Sequence, residues 1–292
     1  MAAVIETSVE MFKGPVDPDW CPGCGDFGVL KSVQTAAANI GVQPHNLMIV
    51  SGIGCSSNLP GFINAYGIHS LHGRAVPVAT GAHLANTDLK VVITGGDGDG
   101  YGIGLGHLIH AMRRNLDVTY VIMDNQIYGL TTGQASPTTS KEVKTKSTPR
   151  GNVESPLNPL SLAIASGATY VARGFSGEPK HLTDTIAAGM AHKGFALIDV
   201  FSPCVTYNKI NTYPWFKERV YKLEDENWNA SDFQAALSKS FEWGERIPLG
   251  VLYKVKADTY EDSEPVFKKG PLVKQPLGIG KELFAELITE LV

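Results

Sequence analysis

Six residues carry the chemistry this chain is equipped for: the oxygen-bearing Asp97 and Asn125, and the sulfurs of Cys21, Cys24, Cys55 and Cys204. Asp97 lies inside Gly95-Gly96-Asp97-Gly98-Asp99-Gly100, and Asn125 follows 28 positions later. Apolar residues 91–94 feed the glycines and read as a buried strand, and Leu105, Leu108, Ile109 and Met112 recur at helical spacing. A second apolar stretch ends at Asp124-Asn125. Strand, glycine turn, helix and strand make a βαβ unit whose right-handed crossover brings both strand ends to one edge. Open α/β sheets bind their ligands at that edge. Two oxygen side chains and a loop carbonyl there suit Mg²⁺, which keeps coordination positions for phosphate oxygens. The helix N-terminus behind the glycines offers N–H groups to the same anion. The competing readings are an acidic turn in an ordinary α/β protein and a nucleotide site. The glycines of this turn lack the i, i+2, i+5 dinucleotide spacing, and Gly280-Lys281 continues into Glu282 where a phosphate-binding loop needs Ser or Thr.

The cysteines form one close pair, Cys21 and Cys24, and two isolated residues, Cys55 and Cys204. Zinc sites usually show two close pairs, so zinc fits less well. Cys55 and Cys204 each follow a strand end, which in a parallel sheet puts them on the same edge as the glycine turn. The Cys21/Cys24 turn precedes the first helix and closes over that edge. Four converging thiolates point to a [4Fe–4S] cluster; four independent core cysteines are the alternative.

The elements that must position these groups alternate. An extended arm covers residues 1–20, then helix 27–40, strand 47–54 and helix 76–86 precede the glycine unit. An irregular stretch, 131–159, has the length of a functional loop. Helix 160–166, strand 169–172, helix 180–193 and strand 196–201 follow, which gives an α/β, doubly wound parallel sheet covered on both faces. From residue 205 the pattern turns irregular: a helix over 231–246 with Ser231 as N-cap, a strand at 249–253, a charged loop 254–276 and a last helix over 280–291. Residues 1–204 read as the site-bearing unit and 205–292 as an extension that wraps a neighbouring subunit.

Bulk properties narrow the classes. The 292 residues are 43% hydrophobic and 18% charged, ordinary for a globular protein. A net charge of −4 argues against nucleic-acid binding, although Lys141, Lys144, Lys146 and Arg150 make a local basic cluster. No apolar run approaches the roughly 20 residues of a membrane helix. The first residues lack the basic start and apolar stretch of a signal peptide, so a cytoplasmic protein is expected.

Gly96-Asp97-Gly98 with Asn125 resembles the thiamine diphosphate motif, which implies Mg²⁺ held by Asp97, Asn125 and the carbonyl of Ile127. The resemblance sharpens over the motifs beginning Trp20-Cys21-Pro22, Gly52-Ile53-Gly54-Cys55, His72-Gly73-Arg74, Gly95-Gly96-Asp97 and Tyr128-Gly129-Leu130-Thr131. Together they are similar to the β subunit of 2-oxoacid:ferredoxin oxidoreductases, in family order from Trp20 to Cys204. The resemblance implies a sheet of the thiamine diphosphate-binding type and a cofactor lined by Ile53, Gly54, Cys55, Ser56, His72, Gly96, Asp97, Gly98, Asp99, Asn125, Gly129, Leu130 and Thr131. It also implies that Cys21, Cys24, Cys55 and Cys204 hold one [4Fe–4S] cluster.

The chemistry implied is CoA-dependent oxidative decarboxylation of a 2-oxoacid, and its reverse, with electrons leaving through the cluster to ferredoxin. His72, Asn58 and Thr132 are the candidates for substrate contact. Some relatives carry a basic residue where Asn58 stands, or lysine where Thr132 stands, so carboxylate recognition falls partly to the partner. 2-Oxoglutarate is the expected substrate, with pyruvate second. The chain offers no second α/β unit with the glutamate that activates the aminopyrimidine, so an α subunit with the pyrimidine-binding domain is expected, and the chain alone is expected to be inactive. A non-redox thiamine diphosphate decarboxylase subunit and a zinc-binding scaffold are the readings from other classes.

Overall fold

Runs rich in Val and Ile, too short for helices and apolar at every position, become strands that are buried on both faces. The computed structural model describes residues 7–276 and 278–290, so residues 1–6 of the expected arm and Leu291 of the expected last helix lie outside the described residues. In chain order the elements are α1 (Gly25–Asn39), β1 (Leu47–Ser51), β2 (Tyr66–His69), α2 (Ala75–Ala85), β3 (Lys90–Gly96), α3 (Leu105–Arg114) and β4 (Thr119–Asp124). There follow α4 (Pro159–Ala165), β5 (Tyr170–Phe175), α5 (Pro179–Met190), β6 (Ala196–Phe201), α6 (Tyr213–Lys217) and β7 (Val220–Lys222). The chain ends with α7 (Phe233–Lys239), β8 (Ile247–Lys254), α8 (Tyr260–Ser263) and α9 (Lys281–Glu290).

The sheet order is β2-β1-β3-β4-β6-β5-β8-β7. All pairings from β2 through β5 are parallel. β8 joins β5 antiparallel, and β7 pairs parallel with β8. Helices α1 and α5 pack together on one face, over Val121, Ile198 and Val200. The other face carries Tyr120, Ile122 and Leu197 in one cluster with Ala79, Leu108, Met112 and Leu160 of α2, α3 and α4. The chain leaves β1 toward β2 and leaves β3 toward β4 on the opposite side. The crevice beyond β1 and β3 is therefore the topological switch point where such sheets bind ligands.

Several expectations are corrected. β2 and β7 add two strands that the sequence pattern does not announce; both are short, and β2 is an edge strand with Tyr66, Gly67 and His69 exposed, so neither shows a burial pattern. The strand expected over 47–54 stops at Ser51, because the chain turns at Gly52 and Gly54, the latter with φ 134°. The helix expected over 231–246 shrinks to α7, capped by Asp232, whose Oδ1 accepts Ala235 N–H at 3.0 Å, rather than by Ser231. Ser231 Oγ is drawn instead to Asn229 Oδ1 at 2.8 Å, and the helix gives way to turns before Gly244 (φ 91°). The loop expected over 254–276 contains α8, closed by a reciprocal Thr259/Asp262 capping box. Regular α3 also starts later than the glycines: a wide turn, Gly98–Ile103, kinked at Gly102, intervenes. No helix among the described residues is long and apolar enough to cross a membrane.

Candidate functional site

Two cavities open side by side at the carboxyl edge. The first, about 500 Å³, lies at the switch point and is lined by Ile53, Gly54, Cys55, Ser56, His72, Gly96, Asp97, Gly98, Asp99, Asn125, Ile127 and residues 128–131. Asp99 ties its walls together from beneath. Its buried Oδ1 accepts the N–H of Ile53 at 2.9 Å, the N–H of Gly73 at 2.7 Å and His72 Nδ1–H at 2.9 Å. The two main-chain donors make Oδ1 an acceptor, so His72 bonds it through Nδ1–H and Nε2 is left to the cavity. Gly52 is required for this strut, since a Cβ there would stand 2.0 Å from the Asp99 carboxylate.

Asp97, 1% exposed, directly follows β3. Its Oδ2 is 2.6 Å from the Thr138 hydroxyl, which is also 2.8 Å from Asp124 Oδ1. One hydroxyl has one proton, so it cannot fully serve both carboxyl oxygens. Burial pushes Asp97 up to about 6 against the pull of its hydroxyl hydrogen bonds, and burial with the charges of Asp97 and Asp199 pushes Asp124 well above the usual carboxylate range. A cation on Asp97 would offset part of that burial penalty. Asn125 sits at the end of β4, and its Oδ1 accepts Ile127 N–H at 3.0 Å across Gln126 in the left-handed region (φ 59°). This turn sets a carboxylate, an amide oxygen and the Ile127 main chain around one cavity, a hard-oxygen donor set of the kind Mg²⁺ takes.

The second cavity, about 270 Å³, is lined by all four cysteines with Trp20, Asp26 and Asn58. Cys24 N–H donates to Cys21 O at 2.9 Å in a turn through Gly23 (φ 84°), and Gly25 N–H donates to Pro203 O at 3.2 Å. That second bond clamps the Cys21/Cys24 turn onto the segment carrying Cys204. Trp20 Nε1–H donates to Cys55 O at 2.6 Å and fixes the third thiol. Burial first, then the Asp26 charge, pushes the Cys55 thiol up to about 11; burial pushes Cys24 higher still. Asp26, buried against Ser202 Oγ at 2.6 Å, is itself raised to about 6 by burial. Among the described residues no three His, Cys, Asp or Glu side chains could hold one metal ion.

Cys55, Asn125, Gly129 and Leu130 line both cavities and form the wall between them. A Cβ on Gly129 would lie 3.7 Å from the sulfurs of both Cys55 and Cys204. Of the three substrate-contact candidates, only His72 lines the first cavity; Asn58 lines the thiol cavity. Thr132 faces out, its hydroxyl accepting from Lys146 Nζ at 2.6 Å. Sequence reasoning misses Thr138, Trp20 and Asp26 as site residues. Trp20 sits beside Cys21 in the quoted motif, so a signal for it exists; Thr138 lies in a loop with no periodicity.

Comparison with known proteins agrees with this geometry. The thiamine pyrophosphate enzyme C-terminal TPP-binding domain matches residues 52–200, and the C-terminal domain of the pyruvate ferredoxin oxidoreductase β subunit matches residues 204–269. A 2-oxoacid:ferredoxin oxidoreductase β subunit from Aeropyrum pernix is 50% identical over 265 residues, 87% of this chain and 83% of that one. One from Saccharolobus solfataricus is 49% identical over 83% of this chain and 84% of its own. The solved 2-oxoglutarate:ferredoxin oxidoreductase of Magnetococcus marinus, with 2-oxoglutarate, coenzyme A and succinyl-CoA bound, superposes with a TM-score of 0.90 at 42% identity, over 98% of this chain and 97% of that one. The chain therefore carries a thiamine diphosphate-binding domain and belongs to the 2-oxoacid:ferredoxin oxidoreductase β subunits.

Proposed function

We propose that this β subunit binds thiamine diphosphate through Mg²⁺ on Asp97, Asn125 and the Ile127 carbonyl, and holds one [4Fe–4S] cluster on Cys21, Cys24, Cys55 and Cys204. The observation that carries this reading is the shared wall: Cys55, Asn125, Gly129 and Leu130 face a cofactor-sized cavity on one side and four cysteines on the other. When bound, thiamine diphosphate supplies the nucleophilic carbon for a 2-oxoacid and the cluster supplies a one-electron outlet toward ferredoxin. The chain's own part is placement. Asp99 holds His72 with Nε2 free, the wide turn at Gly98–Ile103 leaves room for the diphosphate, and Trp20 and the Gly25–Pro203 bond hold the thiols in position.

The substrate proposed is 2-oxoglutarate, converted with coenzyme A to succinyl-CoA and the reverse, with pyruvate as the second reading. The bound molecules of the Magnetococcus marinus enzyme favour this order, as does 46% identity over 197 residues to the 2-oxoglutarate oxidoreductase subunit KorB of Mycobacterium tuberculosis. A separate α subunit bearing the pyrimidine-binding domain completes the site. Support comes from the apolar rim beside the cavity, where Leu71, Ile103 and Leu130 are 75%, 58% and 55% exposed, more than a lone chain gains from showing to water. In the extension, α9 exposes Leu283, Phe284, Leu287 and Ile288, which supports a wrap around a neighbour by the segment beyond β8.

Anaerobic purification of the chain with and without its α subunit tests this. Iron, sulfide and thiamine diphosphate analysis and EPR after reduction should show one reducible four-iron cluster per chain. Viologen reduction should require 2-oxoglutarate, coenzyme A and the α subunit. A colourless chain with zinc in place of iron, or full turnover without the α subunit, would overturn the reading.

A further inference from the structure

A third cavity, about 300 Å³, lies on the α4 face of the sheet, near the ends of β4 and β6, and shares no lining residue with the other two. Two multidentate side chains line it without adequate partners. Gln126 is 4% exposed and Arg173 3% exposed, yet Gln126 Oε1 and Arg173 Nε and Nη1 have no hydrogen-bond partner among the described residues. Asp199 Oδ2 lies 3.5 Å from Arg173 Nε, an ion pair without a good hydrogen bond. A buried amide oxygen and two buried guanidinium nitrogens without hydrogen bonds on one cavity are expensive, and such groups are ordinarily satisfied by water or ligand. The remaining walls are apolar and aromatic: Leu157, Pro159, Phe201, Phe241 and Trp243. The guanidinium already lies 5.0 Å from the Phe201 ring centre and 5.8 Å from that of Trp243. Phe241 (63% exposed) and Trp243 (44%) stand where the cavity meets solvent.

Charge decides the ligand class. Asp124 lines this cavity, Asp199 pairs with Arg173, and Asp97 is joined to Asp124 through Thr138. Asp199 already meets the guanidinium charge, so an anion finds no net positive charge here and a cation would meet the guanidinium; neither is favoured in a desolvated site. A neutral head that both accepts and donates matches the two unpaired groups. Arg173 donates to a carbonyl, and the Gln126 amide, by turning 180°, meets either half of an amide. The geometry points to a second small-molecule site for a neutral, planar carboxamide or lactam with an aromatic body, its polar edge on Arg173 and Gln126 and its ring against Phe241 and Trp243.

Benzamide and its isosteric anion benzoate distinguish this reading from its rivals. Calorimetric titration of the full chain, saturated with thiamine diphosphate and Mg²⁺ to fill the cofactor cavity, should show one saturable benzamide site and at least about tenfold weaker benzoate binding. Arg173→Met and Gln126→Leu should each weaken benzamide about tenfold, the worth of one buried hydrogen bond. Phe241→Ala, at an exposed position that leaves the core intact, should weaken it severalfold and covers the case in which Arg173→Met does not fold. The proposal is overturned if benzamide shows no saturation, if benzoate binds as tightly, if the cofactor abolishes binding, or if Gln126→Leu and Phe241→Ala leave the affinity unchanged.

Discussion

The two edges of the sheet treat polar groups in opposite ways. At the amino edge they mostly bond to one another, with His83 Nδ1 and Glu261 Oε2 left without partners among the described residues. Asn115, in the left-handed region at the end of α3, accepts Thr169 Oγ1–H at 2.7 Å and Phe195 N–H at 2.9 Å on Oδ1, and donates Nδ2–H to Asp258 O at 3.0 Å. His83 pairs with Glu261, which also accepts Asp117 N–H at 3.2 Å. These bonds join the starts of β5 and β6 to the C-terminal segment around α8. At the carboxyl edge the pattern is left more open: Asp26 Oδ2, Asp99 Oδ2 and Gln126 Oε1 are buried without partners among the described residues, and Asp97 and Asp124 compete for one Thr138 hydroxyl. One edge uses buried polarity to hold the chain, and the other holds it in reserve for ligands. Site residues should then cost function without costing stability, and amino-edge residues the reverse.

The widest separation is expected from Cys204→Ser. Loss of one of four thiolates should abolish iron and sulfide uptake and viologen reduction, while the melting temperature of the cofactor-free chain moves by no more than about 2 °C, as for a substitution that breaks no packed contact. Elemental analysis and calorimetry on the same preparation check both halves. Asn115→Ala should do the opposite. It removes a buried hub of hydrogen bonds and places alanine at φ 50°, costing about 2–4 kcal/mol, while thiamine diphosphate affinity stays unchanged. If Asn115→Ala lowers cofactor affinity in proportion to stability, the edges are not independent.

Protonation sharpens the contrast, because the two edges respond in different pH windows. Burial raises Glu261, but the hydrogen bond and charge of His83, its own backbone N–H and Thr259 together outweigh this and hold it down at about 2. Its stabilising share is complete above the ordinary carboxylate range and is lost as pH falls from about 4.5 toward 2. Asp97 and Asp26, raised by burial to about 6, behave inversely: their share is present at low pH and is lost as pH rises from about 4 through 6. Melting curves of the cofactor-free chain from pH 2.5 to 8 should show both slopes. Glu261→Gln should shallow the acid one and Asp97→Asn with Asp26→Asn the other. Over that upper window Mg²⁺-dependent cofactor binding should strengthen as stability falls, since the metal takes the deprotonated Asp97.

Much of the carboxyl edge was legible because its signals are local. Asp97 and Asn125 terminate apolar runs of strand length, and Cys55 and Cys204 follow strand ends, so a parallel sheet alone puts them on one edge. The amino edge was not legible, because Asn115 finds Thr169 and Asp258 only once distant segments have packed. Thr138 was missed for the same reason: its loop returns across the edge with no period to announce it. Thr132 was placed with the site by motif, yet the left-handed turn at φ 74° sends it to Lys146. β2 and β7, short and partly exposed, carry too little alternation to stand out from loop.

The finest test is at the wall itself. Gly129 has no left-handed backbone to protect, and a Cβ there meets the Cys55 and Cys204 sulfurs at 3.7 Å and Asn125 Nδ2 at 4.0 Å, ordinary van der Waals distances. Gly129→Ala should therefore leave the cofactor-free chain within about 0.5 kcal/mol of its original stability. One methyl group between two occupied cavities has only a small volume to displace, so iron, sulfide and thiamine diphosphate contents should also stay near one set per chain. The effect should fall on electron transfer alone, as a severalfold slower reduction of viologen or ferredoxin at unchanged cofactor content. If the methyl group instead expels the cluster, the glycine provides room for iron rather than a path for electrons. If reduction is unaffected, electrons leave the cofactor by another face, and the shared wall ceases to explain why the two cavities adjoin.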